Sequence, residues 1–328
     1  MRYIIYGAGA IGGVVGGRLF QHGHDVVLIA RGRHLDAIRA NGLVLESPNE
    51  SVTLPIPAVG RPSEIAFRAG DVVVMAMKTQ DTAPALDELV EAAGDTIPVV
   101  CAQNGVENER MALRRFEHVY ATAVMLPATH LEPGVVQADS ATLTGILDTG
   151  CYPGGVDDLC TRWTADLEAS NFSARPDPNV MRRKYTKLLS NLGNAVQAAC
   201  GTADAREVPR RAREEAVACY RAAGIDFASE EEDRERRGTL VRVAPIAGRP
   251  RGGGSSWQSL ARGKTSIEAD YLNGEIVLLG RLHGVPTPVN RRLQEVANRL
   301  AREGAPPGTM TLEELLAGIG GAMAGSHS

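Results

Sequence analysis

Short, unbroken apolar runs alternate with amphipathic stretches through the first half of the chain. Tyr3-Ile4-Ile5-Tyr6, Val26-Val27-Leu28-Ile29, Val72-Val73-Val74-Met75 and Val99-Val100-Cys101-Ala102 are too short for helices and lack a polar face. Runs of this kind read as strands buried on both faces of a parallel sheet. The strands are expected at about 3–6, 25–30, 71–77 and 97–102, with helical periodicity between them, first at about 11–21. Further strands are expected at 119–126, near 135–136 and at 141–147, as antiparallel extensions. Beyond the link Arg175-Pro176-Asp177-Pro178, whose prolines discourage continuous helix, the period changes. Apolar residues then recur every three or four positions near 179–201, 207–224, 266–284 and 288–303, which predicts helices. Residues 249–256 read as a basic, glycine-rich loop, and the Gly, Ala and Ser-rich tail 318–328 is expected to fray.

The first apolar run leads straight into Gly7-Ala8-Gly9-Ala10-Ile11-Gly12. Glycines at this spacing between a strand and a helix allow a tight turn, close backbone approach to a pyrophosphate, and close helix–strand packing. The helix behind them turns its positive N-terminal end towards the phosphates. The fold class expected is therefore α/β: an N-terminal Rossmann-type parallel-sheet domain at 1–174, followed by an all-helical domain at 175–328. The cleft between them is the expected site. Which dinucleotide binds is read from the second strand. An NAD site usually carries Asp or Glu about 20 residues past the glycines. Arg31 stands there instead, with Arg33 two positions on and no acid between them. A guanidinium attracts the 2′-phosphate that a carboxylate would repel, which favours NADPH.

Composition narrows the function classes. A net charge of −4 argues against a nucleic-acid surface, and no apolar run reaches the length of a membrane span. The chain opens directly on a strand, and its five cysteines show no metal-ligand or Cys-x-x-Cys spacing. A cytoplasmic protein with reduced thiols and no metal is expected.

Three groups of residues offer chemistry. Lys187, Asn191 and Asn194 fall at i, i+4 and i+7, which places all three on one helical face. An ammonium donates a proton and amides donate hydrogen bonds to a carbonyl or carboxylate; an ordinary polar helix face has the same spacing. Glu268 is the candidate partner, although Thr265-Ser266-Ile267-Glu268 also has the form of a capping box with Glu268 at the third helical position. Ser256, after the glycine loop, can bond a carboxylate or be a plain loop serine. Lys78 and Asn104 each follow a parallel strand, where ligands of such sheets bind; a solvated lysine and a turn asparagine are the alternatives.

Taken together, these residues resemble the ketopantoate reductase family, the 2-dehydropantoate 2-reductases. The resemblance runs through Gly7 to Gly13, Arg31, Met77-Lys78, Gln103-Asn104-Gly105-Val106, Lys187 with Asn191, and Ser255-Ser256. It continues through Glu268-Ala269-Asp270-Tyr271-Leu272-Asn273-Gly274 and His283-Gly284-Val285-Pro286-Thr287-Pro288, so it covers residues 1 to about 303. It implies reduction of a 2-keto acid by NADPH, with the 2′-phosphate on Arg31. Lys187 would protonate the developing alkoxide, and Glu268 would orient that lysine and touch the substrate hydroxyl. Asn191, Asn194 and Ser256 would hold substrate oxygens, while Gly7, Ala8, Gly9, Ala10, Ile11, Gly12, Lys78 and Asn104 would hold the cofactor, Asn104 meeting substrate as well. The chain departs from the family's pattern at Gly253, where an asparagine is usual, and at Trp257, where methionine is usual. It also has no asparagine in 197–202. Ketopantoate is the first expectation for the substrate. A paralogue acting on a bulkier 2-keto acid is the second, and a non-catalytic NADPH sensor the third. A small-molecule substrate is expected, with neither nucleic acid nor membrane as partner, and a homodimer is left open.

Overall fold

The apolar runs of the first half lie side by side in one sheet. The computed structural model describes residues 1–201, 205–249 and 253–320, in two compact units: Met1–Lys187 with Ala228–Arg251, and Leu188–Phe227 with Gly252–Ser328. Strands of the first unit are β1 (Arg2–Tyr6), β2 (Asp25–Ile29), β3 (Leu43–Glu46), β4 (Ser51–Leu54), β5 (Ala58–Val59) and β6 (Asp71–Met75). They are followed by β7 (Val99–Cys101), β8 (Val119–Met125), β9 (Ala128–Thr129), β10 (Val135–Ala138) and β11 (Ile146–Cys151). Seven of them form a sheet in the order β11-β8-β7-β6-β1-β2-β5, parallel except that β11 runs antiparallel to β8. The register aligns the carboxyl ends: Tyr6 is level with Ile29 and Met75, and Met75 with Cys101. The loops leaving four strands therefore start from one edge, around the point where strand order reverses beside β1.

Both faces of this sheet are covered, which is why its strands are apolar throughout. On one face α1 (Ala10–Gln21) lies between the main sheet and a second sheet of order β4-β3-β10-β9. Its glycines make that double contact: Gly16 backs onto Ile5 and Leu28, while Gly13 and Gly17 back onto Val136 and Leu45. α2 (Gly32–Asn41) follows β2. On the other face, α3 (Thr82–Ala93) buries Ala85, Leu86 and Leu89 against Ile4, Val73 and Met75, and α4 (Asn108–Leu113) follows β7. α5 (Asp158–Ala169) and the start of α6 (Val180–Asn191) complete the continuous part of this unit.

The division differs from the boundary expected at 174/175. The proline link adds to the sheet edge: Thr149 N–H donates to Arg175 O at 3.0 Å and Asp177 N–H to Thr149 O at 2.8 Å. The segment 228–251 returns to the same unit because the buried Asp148 carboxylate requires a cation. Arg236, on α9 (Glu230–Arg237), supplies it through two bonds of 2.7 and 2.6 Å. Arg249 then pairs with Glu46 through two bonds of 2.9 Å. The strand expected at 141–147 starts later and forms β11.

The second unit is helical. It contains α7 (Asn194–Cys200), α8 (Glu207–Ala223), α10 (Ser255–Ala261), α11 (Asn273–His283), α12 (Pro288–Glu303) and α13 (Leu312–Gly320). Val289, Leu293, Val296 and Leu300 form the buried stripe of α12. Two expected helices are each split. The 179–201 helix breaks at Leu192-Gly193, where the Leu192 carbonyl accepts from Asn273 Nδ2 at 3.2 Å and glycine favours helix poorly. The 266–284 helix becomes a 3-10 turn, Glu268–Tyr271, and α11, divided by the non-helical Leu272. Within the loop expected at 249–256, residues 250–252 lie outside the described residues, and Ser255 already opens α10. Of the tail expected to fray, residues 318–320 continue α13 and 321–328 lie outside the described residues.

Candidate active site

The glycine turn combines a packed side and an open one. Gly7 has φ +100°, and a Cβ there would stand 2.7 Å from Met77 N. A Cβ on Gly12 would collide with Gly7 O and Ala76 Cβ, so α1 can approach β1 and β6 only with glycine at this point. A Cβ on Gly9, the residue preceding α1, would meet none of the described residues beyond its chain neighbours within 4 Å. Ala10, Ile11 and Gly12 form the first helical turn, which holds no acidic residue and whose N–H groups lack acceptors within the helix. An open approach to a row of N–H donors suits a pyrophosphate. Gly7 and Ala8 N–H both donate to Ile29 O, at 3.1 and 3.2 Å. His34 braces the turn from α2, with Nε2 2.7 Å from Ala8 O while Nδ1 accepts from Gly134 N–H at 2.9 Å. The sequence reading missed His34, since a lone histidine carries no spacing signal.

Arg31 follows β2 at the same edge and is exposed, directly before α2. It stands beside the Tyr6 hydroxyl, which donates to Glu88 Oε2 at 2.7 Å. Burial and Glu88 push the Tyr6 phenol up to about 12, and Arg31 opposes them.

Lys78 follows β6 and Asn104 follows β7, both half-buried. A buried polar network ties their loops together. Gln103 Nε2 donates to Met77 O at 3.0 Å and to Thr82 Oγ1 at 2.7 Å. Asn108 Nδ2 donates to Asn104 O at 3.0 Å and to Thr79 Oγ1 at 3.2 Å. The two loops are thus held as one piece.

Lys187 sits on α6, half-buried at the end of the first unit. Crowding by protein lowers its ammonium from 10.5 to about 8; Arg237 adds to the effect and Asp233 opposes it. A lysine held near neutrality is suited to give up a proton, as a framework lysine is not. Asn191 lies one turn further along the same helix and is buried.

In the second unit Asn194 opens α7 instead of continuing α6, so the expected i+7 alignment with Lys187 on a single helix is replaced by a turn. The side chain of Asn194 lies against Gly254, whose N–H donates to Gln197 Oε1 at 2.7 Å. Ser256, two residues on, is buried in α10. The Trp257 indole occupies the space a side chain at Gly253 would need: a Cβ there would lie 2.7 Å from Trp257 Cδ2. Glu268 is buried at the first position of a 3-10 turn, not the third of a helix, so the capping box does not form.

Comparison with known proteins covers most of the chain. Residues 3–153 match the family model of ketopantoate reductase PanE/ApbA, and residues 179–301 match its C-terminal model. The chain belongs to the ketopantoate reductase family. It is thereby an oxidoreductase, and two relatives of the family extend over nearly its full length. The 2-dehydropantoate 2-reductase of Mesorhizobium japonicum is 28% identical, over 92% of this chain and 98% of that one. The Halobacterium salinarum enzyme of the same name is 27% identical, over 93% and 100%. Among solved structures, a PanE/ApbA family ketopantoate reductase from Ralstonia eutropha JMP134 is 30% identical with a TM-score of 0.76, covering 93% of this chain and 99% of that one. D-mandelate dehydrogenase, solved with NADH and anilino(oxo)acetate, shares the fold at 22% identity and a TM-score of 0.77, over 93% and 99%. Among the described residues no helix is long and apolar enough to cross a membrane.

Proposed function

We propose that this chain reduces 2-dehydropantoate to pantoate with NADPH. The observation that carries the reading is the match of residues 3–153 and 179–301 to the two ketopantoate reductase models, with Lys187 on α6, lowered to about 8, as the candidate proton donor. Gly7, Ala8, Gly9, Ala10, Ile11 and Gly12 would hold the pyrophosphate, and Arg31 the 2′-phosphate, since no acid at the end of β2 repels it. Lys78 and Asn104 would fix cofactor and substrate from the same edge. The nicotinamide, when bound, supplies the hydride that reduces the ketone carbon.

This chain's own residues manage charge and protons. Negative charge develops on the ketone oxygen during reduction, and the Lys187 ammonium stabilises it and then donates a proton from Nζ. Desolvation assists, because an ammonium near 8 loses its proton more readily than one at 10.5. Glu268 is assigned to orient the proton donor and to meet the substrate hydroxyl. Asn191, Asn194 and Ser256 are assigned to substrate oxygens, where neutral donors bond a carboxylate without adding charge.

A second reading, a bulkier 2-keto acid, draws on Trp257, half-buried and seated on Gly253 beside Ser256. An indole in that segment suits a larger apolar tail. Steady-state rates of NADPH and NADH oxidation across a panel of 2-keto acids test both readings. The highest kcat/KM with 2-dehydropantoate and NADPH is expected. A preference for an aromatic keto acid selects the second reading, and no oxidation with any panel member refutes both.

A further inference from the structure

The described part of the first unit contains a buried ion pair that the proposed chemistry does not use. Lys184 and Glu109 are 3% and 0% exposed, and Lys184 Nζ lies 2.6 Å from Glu109 Oε1. Lys184 also donates to two backbone carbonyls, Gln103 O at 2.8 Å and Thr122 O at 3.3 Å. No hydrogen-bond donor of ideal geometry meets the Glu109 carboxylate among the described residues, so Lys184 is what compensates it. A buried pair of this kind is weak evidence for stability, because desolvating both charges offsets their attraction. Its value lies in what it fixes.

Each end of this arrangement adjoins a residue of the proposed site. Lys184 is one turn before Lys187 on α6. Its acceptor Gln103 directly precedes Asn104, and Gln103 Nε2 in turn holds Met77 O, which directly precedes Lys78. The Lys184 ammonium therefore joins the middle of α6 to the end of β7, which the Gln103 side chain in turn ties to the end of β6. We propose that Lys184, held by Glu109, is the positioning residue that sets Lys78, Asn104 and Lys187 in mutual register while touching neither cofactor nor substrate. This rests on the reading of those three residues as the site.

Replacing both charges together separates positioning from folding, because it leaves no orphaned ion in the interior. The test compares the parent, Lys184→Met/Glu109→Gln and Lys187→Ala. The readouts are thermal unfolding, NADPH affinity by titration, kcat and KM, and the pH profile of kcat. The double variant is expected to fold, to lose kcat by about tenfold to a hundredfold through misplacement of reacting groups, and to weaken NADPH by about threefold to tenfold. The alkaline limb of its pH profile should move, since the surroundings of Lys187 change with the helix. Parent-like kcat, NADPH affinity and pH profile in the folded double variant would overturn the proposal.

Should the double variant not fold, Glu109→Gln with Lys184 retained takes its place. It removes the anchor but keeps the carbonyl bonds, and a moved alkaline limb with kcat about threefold to tenfold lower is expected. Parent values there overturn the proposal equally. If Lys187→Ala turns over normally, the site reading itself has failed. NADPH affinity in the double variant then still reports on the loops of Lys78 and Asn104.

Discussion

Lys184 and Lys187, three residues apart on α6, bring the same charge into opposite surroundings. Lys184 is enclosed with a carboxylate and two carbonyls as partners. Lys187 is half-buried and desolvated by the surrounding protein, with Arg237 adding to the loss of its charge and Asp233 opposing it. The contrast recurs among the arginines: Arg236 is buried on Asp148, whereas Arg31 is exposed at a strand end. It recurs among the glutamates of the second unit. Glu215 accepts from Val289 N–H and Asn290 N–H, both at 2.9 Å, and so fixes the start of α12. Glu268 is buried without capping a helix in this way. A charge whose bonds lie within the framework fixes local geometry, whereas Lys187, Glu268 and Arg31 are the ones proposed for chemistry.

The sharpest way to break this contrast is to remove the Lys187 amine. Lys187→Ala is expected to lower kcat by about 10²–10⁴-fold, the range for a lost general acid, with NADPH affinity little changed. Stopped-flow and steady-state rates with calorimetric NADPH titration check this, and near-normal turnover would make Lys187 as structural as Lys184.

Glu268→Gln keeps the shape and removes the charge. Turnover is expected to fall about a hundredfold with a melting temperature close to the parent's. A lowered melting temperature with unchanged kinetics would put Glu268 in the company of Glu215.

Arg31→Ala probes the exposed arginine. NADPH binding should weaken by about tenfold to a hundredfold for a lost charge-assisted bond, and NADH binding should stay the same. Equal affinities of the parent for the two cofactors would defeat the assignment.

The pH dependence follows from the lowered Lys187. Its charged form is lost as pH rises through about 8, so kcat for reduction should be level below that pH. Above it, kcat should fall by about tenfold per pH unit. The sign for stability is the reverse: holding the ammonium costs stability below about 8, and the cost is released between about 8 and 10.5. A kcat profile flat to pH 10 would contradict the lysine's role.

The smallest effect is expected at Trp257. Trp257→Met should shift the kcat/KM ratio towards 2-dehydropantoate over a bulkier keto acid by about threefold, the scale of a modest apolar contact. An unchanged ratio would make the indole a packing residue on Gly253.

Local order was the part legible in the amino-acid sequence. Strands buried on both faces, the Gly7 to Gly12 turn, the absence of an acid at Arg31 and the positions of Lys78 and Asn104 after strands all follow from short-range pattern, because period and turn chemistry act within a few residues. The family could be recognised for the same reason, through motifs spread along the chain. What tertiary structure alone decided involves partners far apart in sequence. The second sheet explains the extra glycines of α1, and Asp148 drew 228–251 back to the first unit through Arg236, 88 residues away. Asn273, 81 residues from Leu192, took a carbonyl at the point where a continuous helix had been expected. The environments of Lys184 and Lys187 were equally illegible. Burial and charge neighbours determine how far an ammonium is pulled towards neutrality, and no local spacing encodes either.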